Sequence, residues 1–197
     1  MKLHNIQQGT DEWLQLRLGK LTASSAQAIA TQGKGLETLI FEKVAEIITG
    51  KAKERYTNAD MDRGNELEAM ARNSYELETG DQVKEIGFVE LDEYTGCSPD
   101  GLVGDAGLME IKCKNDANFV RHLYETPVKI DPAHILQMQM QMLITGRKWC
   151  DYIVFNENFP KPITINRIIK NDIHIAKLTA GIAQGKANIK NILDKIK

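Results

Sequence analysis

Two stretches decide the fold of this chain: Ser98-Pro99-Asp100-Gly101, and the run Leu108-Met109-Glu110-Ile111-Lys112-Cys113 that follows it. In an apolar strand, successive side chains alternate between the two faces, so Glu110 and Lys112 share one face. Pro-Asp-Gly is strong turn chemistry, and it fixes the direction of Asp100. The two stretches therefore predict strands that pair across a turn at 104–107, with Asp100 near Glu110 and Lys112.

Two carboxylates and a lysine in this arrangement suit the hydrolysis of a phosphodiester. Asp100 and Glu110 offer the hard oxygen ligands that a divalent cation prefers, with Lys112 beside the same position. A solvated ion pair on an exposed strand is the alternative, because such acid and lysine pairs are common. The apolar neighbours favour the metal site, since a charge among apolar residues is costly without a partner or a metal.

The composition is that of an ordinary globular protein. Of the 197 residues, 42% are hydrophobic and 26% charged, and the net charge of −2 argues against a nonspecific polycationic DNA binder. The length fits a single domain, 1–197, and the chain shows no secretory leader and no membrane-length apolar run. We therefore expect a cytoplasmic protein without membrane contact. The cysteines are odd in number and lack Cys-x-x-Cys spacing, which predicts a packing role for Cys97, Cys113 and Cys150.

Hydrophobic periodicity predicts an α/β fold with a mixed central sheet flanked by helices. Helices are predicted within 9–17 and over 26–30, 36–48, 61–78, 134–143 and 173–196, the last being an amphipathic C-terminal helix. Further strands are predicted over 83–91, 149–155 and 163–169. In the helix 134–143, glutamines at 137, 139 and 141 alternate with methionines, which is unusual because a period of two wraps around a helix.

Two further clusters allow two interpretations each. The hydroxyl-rich stretch Thr22-Ala23-Ser24-Ser25 begins a helical run, where free N–H groups are suited to bind a phosphate. Helix capping explains the same hydroxyls. Glu68 and Arg72 are four residues apart on a helix, for which a surface ion pair is the simple explanation.

With these motifs placed, the chain resembles the bacteriophage lambda exonuclease family. These are YqaJ-type viral recombinase nucleases of the restriction-endonuclease-like PD-(D/E)XK superfamily. The resemblance covers residues 8–155 and consists of motifs in a fixed order. They are Trp13 with Leu16-Arg17-Leu18-Gly19 and Thr22-Ala23-Ser24, then Gly64-Asn65-Glu66-Leu67-Glu68, Cys97-Ser98-Pro99-Asp100-Gly101, Glu110-Ile111-Lys112-Cys113 and Gln137-Met138-Gln139.

The resemblance implies a restriction-endonuclease-like core and a two-metal catalytic centre. The implied metal ligands are Asp100, Glu110 and the main-chain carbonyl of Ile111, holding two Mg²⁺ ions for which Mn²⁺ substitutes. Lys112 is implied to orient or help deprotonate the attacking water and to stabilise charge on the phosphorane. Glu68 is implied as an outer acid of the site, and Gln137 as a group that positions the nucleophile or the scissile phosphate.

The same resemblance implies a site for the end of the DNA. Arg17, with Ser24 and Ser98, matches positions that grip a terminal 5′-phosphate, which favours phosphate binding over capping for Ser24. Met61 lies where the family places an apolar wedge that splays the end of the duplex.

The implied activity is a Mg²⁺-dependent 5′→3′ exonuclease. It degrades one strand of linear double-stranded DNA from 5′-phosphorylated ends, releases mononucleotides and leaves a 3′ single strand for recombination by single-strand annealing. The implied partners are DNA ends, a single-strand annealing protein and two further copies in a ring-shaped homotrimer, which exposed apolar positions on the terminal helix would permit.

Two other functions remain open at this point. The first is an endonuclease of resolvase or restriction type on the same fold, and the second is a non-enzymatic module that binds DNA ends or protein. The iron–sulfur variants of the superfamily are disfavoured, because they use four cysteines and this chain has three scattered ones.

Overall fold

The computed structural model describes residues 1–52, 59–125 and 127–196, with the side chains of residues 59–66 left out. The described helices are α1 Asp11–Arg17, α2 Ala26–Thr31, α3 Lys34–Thr49, α4 Ala59–Thr79, α5 Asp116–Tyr124, α6 Pro132–Thr145 and α7 Asp172–Ile196. The described strands are β1 Lys2–His4, β2 Leu21–Thr22, β3 Val83–Lys84, β4 Phe88–Asp92, β5 Thr95–Cys97, β6 Gly101–Val103, β7 Gly107–Cys113, β8 Trp149–Phe155 and β9 Ile163–Ile169. This is the mixed α/β architecture that the sequence predicts.

The strands form two mixed sheets. The larger one has the order β3-β6-β7-β8-β9, in which β7 and β8 are parallel and the other neighbours are antiparallel. The smaller one has the order β1-β4-β5-β2, with β2 and β5 parallel. The sequence predicted one central sheet, and the second sheet escaped prediction because β1 and β2 span three and two residues, too few to show a period.

The pairing of β6 with β7 confirms the predicted turn at 104–107. Gly101 lies opposite Met109 and Val103 opposite Gly107, so Asp100 directly precedes the first residue of β6. On β7, Met109 and Ile111 pack into a small core with residues of α4. Glu110 lies on the other face, towards α6, as alternation along a strand requires.

A larger core lies on the α6 side of the sheet. It takes buried side chains from α2, α3, α6 and α7, and it includes the fully buried Met138, Met140 and Met142 of α6. Helix α7 packs closely on α2 at Gly181, where a Cβ atom would collide with the main-chain carbonyl of Ile29. The large apolar residues of α7 are mostly buried inside the chain, and the strongly exposed ones are Ile173 and Ile196 near its two ends.

The single strand predicted over 83–91 is wrong. The segment forms β3 in the larger sheet and β4 in the smaller one, with a crossing at 85–87. Four consecutive buried residues, 86–89, interrupt the alternation there. Gly87 permits the crossing, because a Cβ atom at this position would meet the carbonyl oxygen of Ile6.

The other predicted helices and strands are present, with ends shifted by a few residues, and α5 is an additional helix. The side chains of Cys97 and Cys150 are buried and that of Cys113 is partly buried, which fits the predicted packing role. Among the described residues, no helix combines the length and the apolar character needed to cross a membrane.

Candidate active site

Glu110 lies at the centre of a network of hydrogen-bond donors. Its side chain is 1% exposed, and its Oε1 atom accepts hydrogen bonds of 2.6 Å from both Lys112 Nζ and Gln137 Nε2. Its Oε2 atom accepts a 2.7 Å bond from Nε2 of Gln141, one turn further along α6. These three donors stabilise a carboxylate that would otherwise be very costly to bury.

Asp100 is held against the neighbouring strand. Its Oδ2 atom accepts a 2.7 Å hydrogen bond from the main-chain N–H of Ile111. Burial raises the pKa of Asp100 well above its ordinary value, and the charges of Glu110 and Glu68 raise it further. The structure thus brings together the two acids that the sequence singled out.

The Ile111 carbonyl leaves β7 on the side of Asp100. The N–H and C=O groups of one strand residue point to the same edge, and the N–H of Ile111 points to Asp100. The even-numbered residues direct their main-chain N–H and C=O groups to the other edge, towards β8, as the hydrogen bond from Lys114 N to Phe155 O shows. The pairing of β6 with β7 ends at Met109. The Ile111 carbonyl therefore points to the same edge of β7, but past the end of β6.

Lys112 completes this group on the same strand face. Burial alone would lower the pKa of Lys112, but the charges of Glu110 and Asp100 outweigh it and raise the pKa above its ordinary value. Tyr152 lies opposite Glu110 in the register of β8, and its hydroxyl lies 3.1 Å from Nδ1 of His134. Burial is the main reason why the pKa of Tyr152 rises to about 12.

Glu68 borders the site from α4. Its Oε2 atom lies 3.8 Å from Nη1 of Arg72, so the predicted ion pair is present. Burial raises the pKa of Glu68 despite the opposing charge of Arg72, and the charge of Glu110 adds to the increase. The charges of Glu110 and Lys112 also act on the Glu68 carboxyl group, so Glu68 lies near the same group of residues.

Arg17 gathers three hydroxyl groups around its guanidinium. Nη1 donates to Ser98 Oγ at 3.2 Å, and Nη2 donates to Ser24 Oγ at 3.2 Å and Thr22 Oγ1 at 3.4 Å. The guanidinium also lies 4.4 Å from the ring centroid of Trp13, whose Nε1 donates to Ser98 Oγ at 2.8 Å. Thr22 precedes a short 3₁₀ helix at Ala23–Ser25, and Ser25 precedes α2. The side chain of neither residue forms a capping hydrogen bond.

A cleft of about 170 Å³ opens beside this cluster. Arg17, Thr22 and Ser24 line one side of it, and α3 contributes Glu42 and Lys43 on the other. The Arg17 cluster is therefore accessible from outside.

The segment Ser98-Pro99-Asp100 joins the two groups. Ser98 contacts Arg17, and Asp100, two residues further on, contacts β7. Gln8 anchors the middle of the segment, because its Nε2 atom donates to the carbonyl of Pro99 at 3.0 Å. The side chain of Met61, the predicted wedge, lies outside the described residues.

Comparison with known proteins identifies the family of this chain. The model of the YqaJ-like viral recombinase domain matches residues 12–148 of the chain. The chain belongs to this family. The match spans every motif described above, from Arg17 to Gln137.

Solved structures support the assignment of this YqaJ-like chain. An alkaline exonuclease (LHK-Exo) from Laribacter hongkongensis is 37% identical, with a TM-score of 0.81 over 95% of this chain and 98% of that one. The same enzyme has also been crystallised in complex with dAMP, with the same identity and coverage. A phage-related exonuclease from Haemophilus somnus 129PT shares the fold, at 18% identity and a TM-score of 0.72 over 93% of this chain and 99% of that one. A comparison with curated protein sequences found no significant match.

The YqaJ-like chain is therefore a nuclease of the alkaline exonuclease type. This finding favours an enzyme over the non-enzymatic binding module that the sequence left open.

Nucleases of this family generally use divalent metal ions, and the residues present fit such an ion. Asp100 keeps Oδ1 without a hydrogen-bond partner among the described residues, and Oε2 of Glu110 accepts a single one. Within the described part of the chain, no three His, Cys, Asp or Glu side chains converge on one point. A cation here would therefore depend on two carboxylates together with main-chain, water or substrate oxygen atoms.

Sequence reasoning missed four residues of these two groups: Trp13 as a hydrogen-bond donor, Thr22 as a partner of Arg17, Gln141 and Tyr152. The spacing of Gln141, four residues after Gln137, was a usable signal, since such residues share a helix face. For Tyr152, the signal was its position in the strand that pairs with Glu110, which required knowing the register.

Proposed function

We propose that this YqaJ-like nuclease is a Mg²⁺-dependent 5′→3′ exonuclease. It would degrade one strand of linear double-stranded DNA from 5′-phosphorylated ends and release mononucleotides. The observation that carries the proposal is the segment Ser98-Pro99-Asp100, which connects the Arg17 cluster to the carboxylate pair. A terminal phosphate bound at one end of this segment would set the first phosphodiester near the other end.

The Arg17 cluster suits the terminal phosphate. A planar guanidinium offers paired donors to phosphate oxygens, and the hydroxyls of Ser24 and Ser98 lie within 3.2 Å of it. In the proposed complex the phosphate would accept hydrogen bonds from Arg17 and from these hydroxyls. Because an internal phosphodiester has no terminal phosphate, the cluster favours action from DNA ends.

The carboxylate pair suits the hydrolytic step. Asp100, Glu110 and the carbonyl of Ile111 would hold Mg²⁺, with Mn²⁺ as a substitute, and two ions would be used. When bound, the divalent cation supplies Lewis-acid stabilisation of phosphoryl oxygens and a more acidic water.

Lys112 and Gln137 would act on the reacting groups directly. Lys112 places an ammonium group 2.6 Å from Glu110, where it would orient the attacking water and stabilise charge on the phosphorane. Gln137 would position the nucleophile or the scissile phosphate through the same amide that now bonds to Glu110. Glu68 would act as an outer acid at the rim of the site.

The proposed product is a deoxynucleoside monophosphate. LHK-Exo, the 37% identical alkaline exonuclease, was crystallised in complex with dAMP, a compound of this class. A nucleotide released from a 5′-phosphorylated end with cleavage on its 3′ side carries its phosphate in the same 5′ position.

We extend the proposal to the assembly and its partner on family resemblance alone. The chain would form a ring-shaped homotrimer of about 66 kDa, three times the 22.1 kDa of one chain, which light scattering would measure. The 3′ strand that it leaves would be passed to a single-strand annealing protein for recombination.

The experiment that tests the proposal compares linear and covalently closed circular duplex of the same sequence, with Mg²⁺ and with a chelator. We expect mononucleotides from the linear duplex in Mg²⁺, and no cleavage of the closed circle. The variant Lys112→Ala tests the catalytic centre in the same assay, and it should lose most of the activity while remaining folded.

Cleavage of the closed circle would contradict the proposal and support the endonuclease that the sequence left open. Full activity in the chelator, or in Lys112→Ala, would contradict the proposed catalytic centre.

A further inference from the structure

Helix α6 carries three glutamines at alternate positions that face different surroundings. Two residues advance about 200° around a helix, so Gln139 faces away from Gln137, whereas Gln137 and Gln141 share a face. Gln137 and Gln141 both bond to Glu110. Gln139 instead donates to the carbonyl of Ile169 at 2.9 Å and accepts from the N–H of Asn171 at 2.8 Å.

Gln139 and Gln141 are equally buried, yet their amides are not equally satisfied. Both polar atoms of Gln139 are bonded to the main chain between β9 and α7, which is a structural role. Gln141 is 0% exposed, and its Oε1 atom has no donor within reach among the described residues. The orientation of this amide is dictated by charge, because turning it over would set its oxygen against the carboxylate of Glu110.

A buried and unpaired amide oxygen destabilises a fold. Methionine is similar in length to glutamine, and the same core already accepts it at the flanking positions Met140 and Met142. Fold stability alone therefore does not explain a glutamine at position 141, and the contact that does is its 2.7 Å bond to Glu110.

We infer that Gln141 is a positioning residue that holds the Glu110 carboxylate from its buried side and orients Oε2 for a divalent cation. The inference rests on the proposed function, in which Glu110 is a metal ligand. The other two donors to Glu110, Lys112 and Gln137, both bond to Oε1 and are proposed to act on water and DNA. When they turn to the substrate, Gln141 remains to hold the carboxylate, because it is fully buried.

The test compares Gln141→Met with Gln139→Met, the same substitution two residues away on the same helix. Three quantities are measured on each purified protein: affinity for Mn²⁺ by calorimetry without DNA, the melting temperature without metal, and kcat and KM on linear duplex.

For Gln141→Met we expect Mn²⁺ affinity to fall by about 10- to 100-fold, as for other groups that orient a metal ligand. kcat should fall with KM for DNA unchanged, since Gln141 does not reach the substrate. The melting temperature should stay within about 3 °C of the wild type, because loss of the bond to Glu110 is offset by removal of the unpaired oxygen.

For Gln139→Met we expect the reverse pattern. The melting temperature should fall by roughly 2 to 8 °C, because two buried main-chain groups lose their partners. Mn²⁺ affinity should match the wild type.

Three results would overturn the inference: wild-type Mn²⁺ affinity in Gln141→Met, equal losses of affinity in both variants, or a Gln141→Met protein that unfolds. A wild-type protein that neither binds Mn²⁺ nor cleaves linear duplex would overturn the proposed function, and this inference with it. A wild-type protein that does both, beside a Gln141→Met variant that is unaffected, would overturn this inference alone.

Discussion

At the scale of single residues, two charged groups have opposite surroundings. The Glu110 carboxylate is buried and receives three donors, whereas the Arg17 guanidinium reaches three hydroxyls at the edge of a cleft. A guanidinium offers paired donors to phosphate oxygens and the surrounding hydroxyls can donate as well, so a phosphate would gain several hydrogen bonds at this site. Ser98 belongs to the Arg17 cluster and Asp100 belongs to the carboxylate pair. The two groups are therefore joined by a segment in which these residues are only two positions apart.

Replacement of Arg17 tests whether this residue recognises the 5′-phosphate at the end of the DNA. We expect Arg17→Ala to lower kcat/KM on 5′-phosphorylated duplex by roughly 10- to 100-fold, the worth of charge-assisted hydrogen bonds, and to leave 5′-hydroxyl duplex nearly unaffected. Steady-state rates on two duplexes that differ in the 5′ group measure this.

Arg17→Lys is the matched control for charge. It keeps the cation but loses the two-pronged geometry, so it should lie between the wild type and the alanine variant. Equal losses on both duplexes would show that Arg17 does not read the phosphate.

At the scale of elements, β8 joins the two faces of the larger sheet. Tyr152 faces the site, while its neighbour Asp151 faces α4 and β9. Asp151 is 1% exposed and accepts a 2.7 Å bond from the Tyr75 hydroxyl and two 2.8 Å bonds from Arg167. This network ties α4, β8 and β9 together behind the site.

The network predicts a stability effect without a catalytic one. Tyr75→Phe removes one donor to a buried carboxylate, so we expect it to lower the free energy of unfolding by about 1–2 kcal/mol. Urea denaturation measures the change, and the specific activity of the folded protein should match the wild type. Tyr124→Phe is the control, because that tyrosine is 86% exposed and its change should have no effect on stability.

An unchanged unfolding midpoint in Tyr75→Phe would show that Arg167 alone satisfies Asp151. Lost activity at full stability would show that this side of the sheet acts in catalysis.

Much of this element structure follows from sequence. Alternation in β7 places Glu110 and Lys112 together, and apolar spacing predicts α3, α6 and α7 to within a few residues. Of the three donors to Glu110, Lys112 and Gln137 were predicted as site residues. Gln141 was not, because it reaches the carboxylate through tertiary packing of α6 on the sheet. The division of 83–91 into β3 and β4 was also hidden, since it depends on which sheet each half joins.

At the scale of the whole molecule, the last helix, α7, is linked to the smaller sheet. Lys186 of α7 donates a 2.6 Å bond to Asp92 at the end of β4, and Lys20 bonds to Glu90 of the same strand at 2.8 Å. Burial would raise the pKa of Asp92, but hydrogen bonds from Lys186 and from the N–H of Tyr94 outweigh it and lower the pKa. The hydrogen bond from Lys20 is the main reason why the pKa of Glu90 is lowered.

These carboxyl groups give the stability a pH dependence of known sign. A folded-state pKa below the unfolded value, about 4 for Asp, contributes stability that is present above that value and lost as pH falls through the folded pKa. We expect Asp92→Asn to melt roughly 1–3 °C below the wild type at pH 7, a small effect because the pair is partly exposed. The difference should shrink as the pH falls below about 4, the unfolded value, because both forms of the chain then take up the proton.

Melting curves between pH 3 and pH 7 measure this, and Lys186→Met should reproduce the pattern because it removes the other partner. A constant difference across the range would contradict the assigned role of the Asp92 charge.

The proposed 5′→3′ direction of degradation can be tested with an end-labelled duplex. One linear duplex carries a label on its 5′-phosphorylated nucleotide and a second carries it on the 3′-terminal nucleotide, each incubated with the protein and Mg²⁺. We predict that the 5′ label is released first, as a mononucleotide, while the 3′ label stays in long strands. Early release of the 3′ label, or of labelled oligonucleotides from either end, would contradict degradation from the 5′ end into mononucleotides.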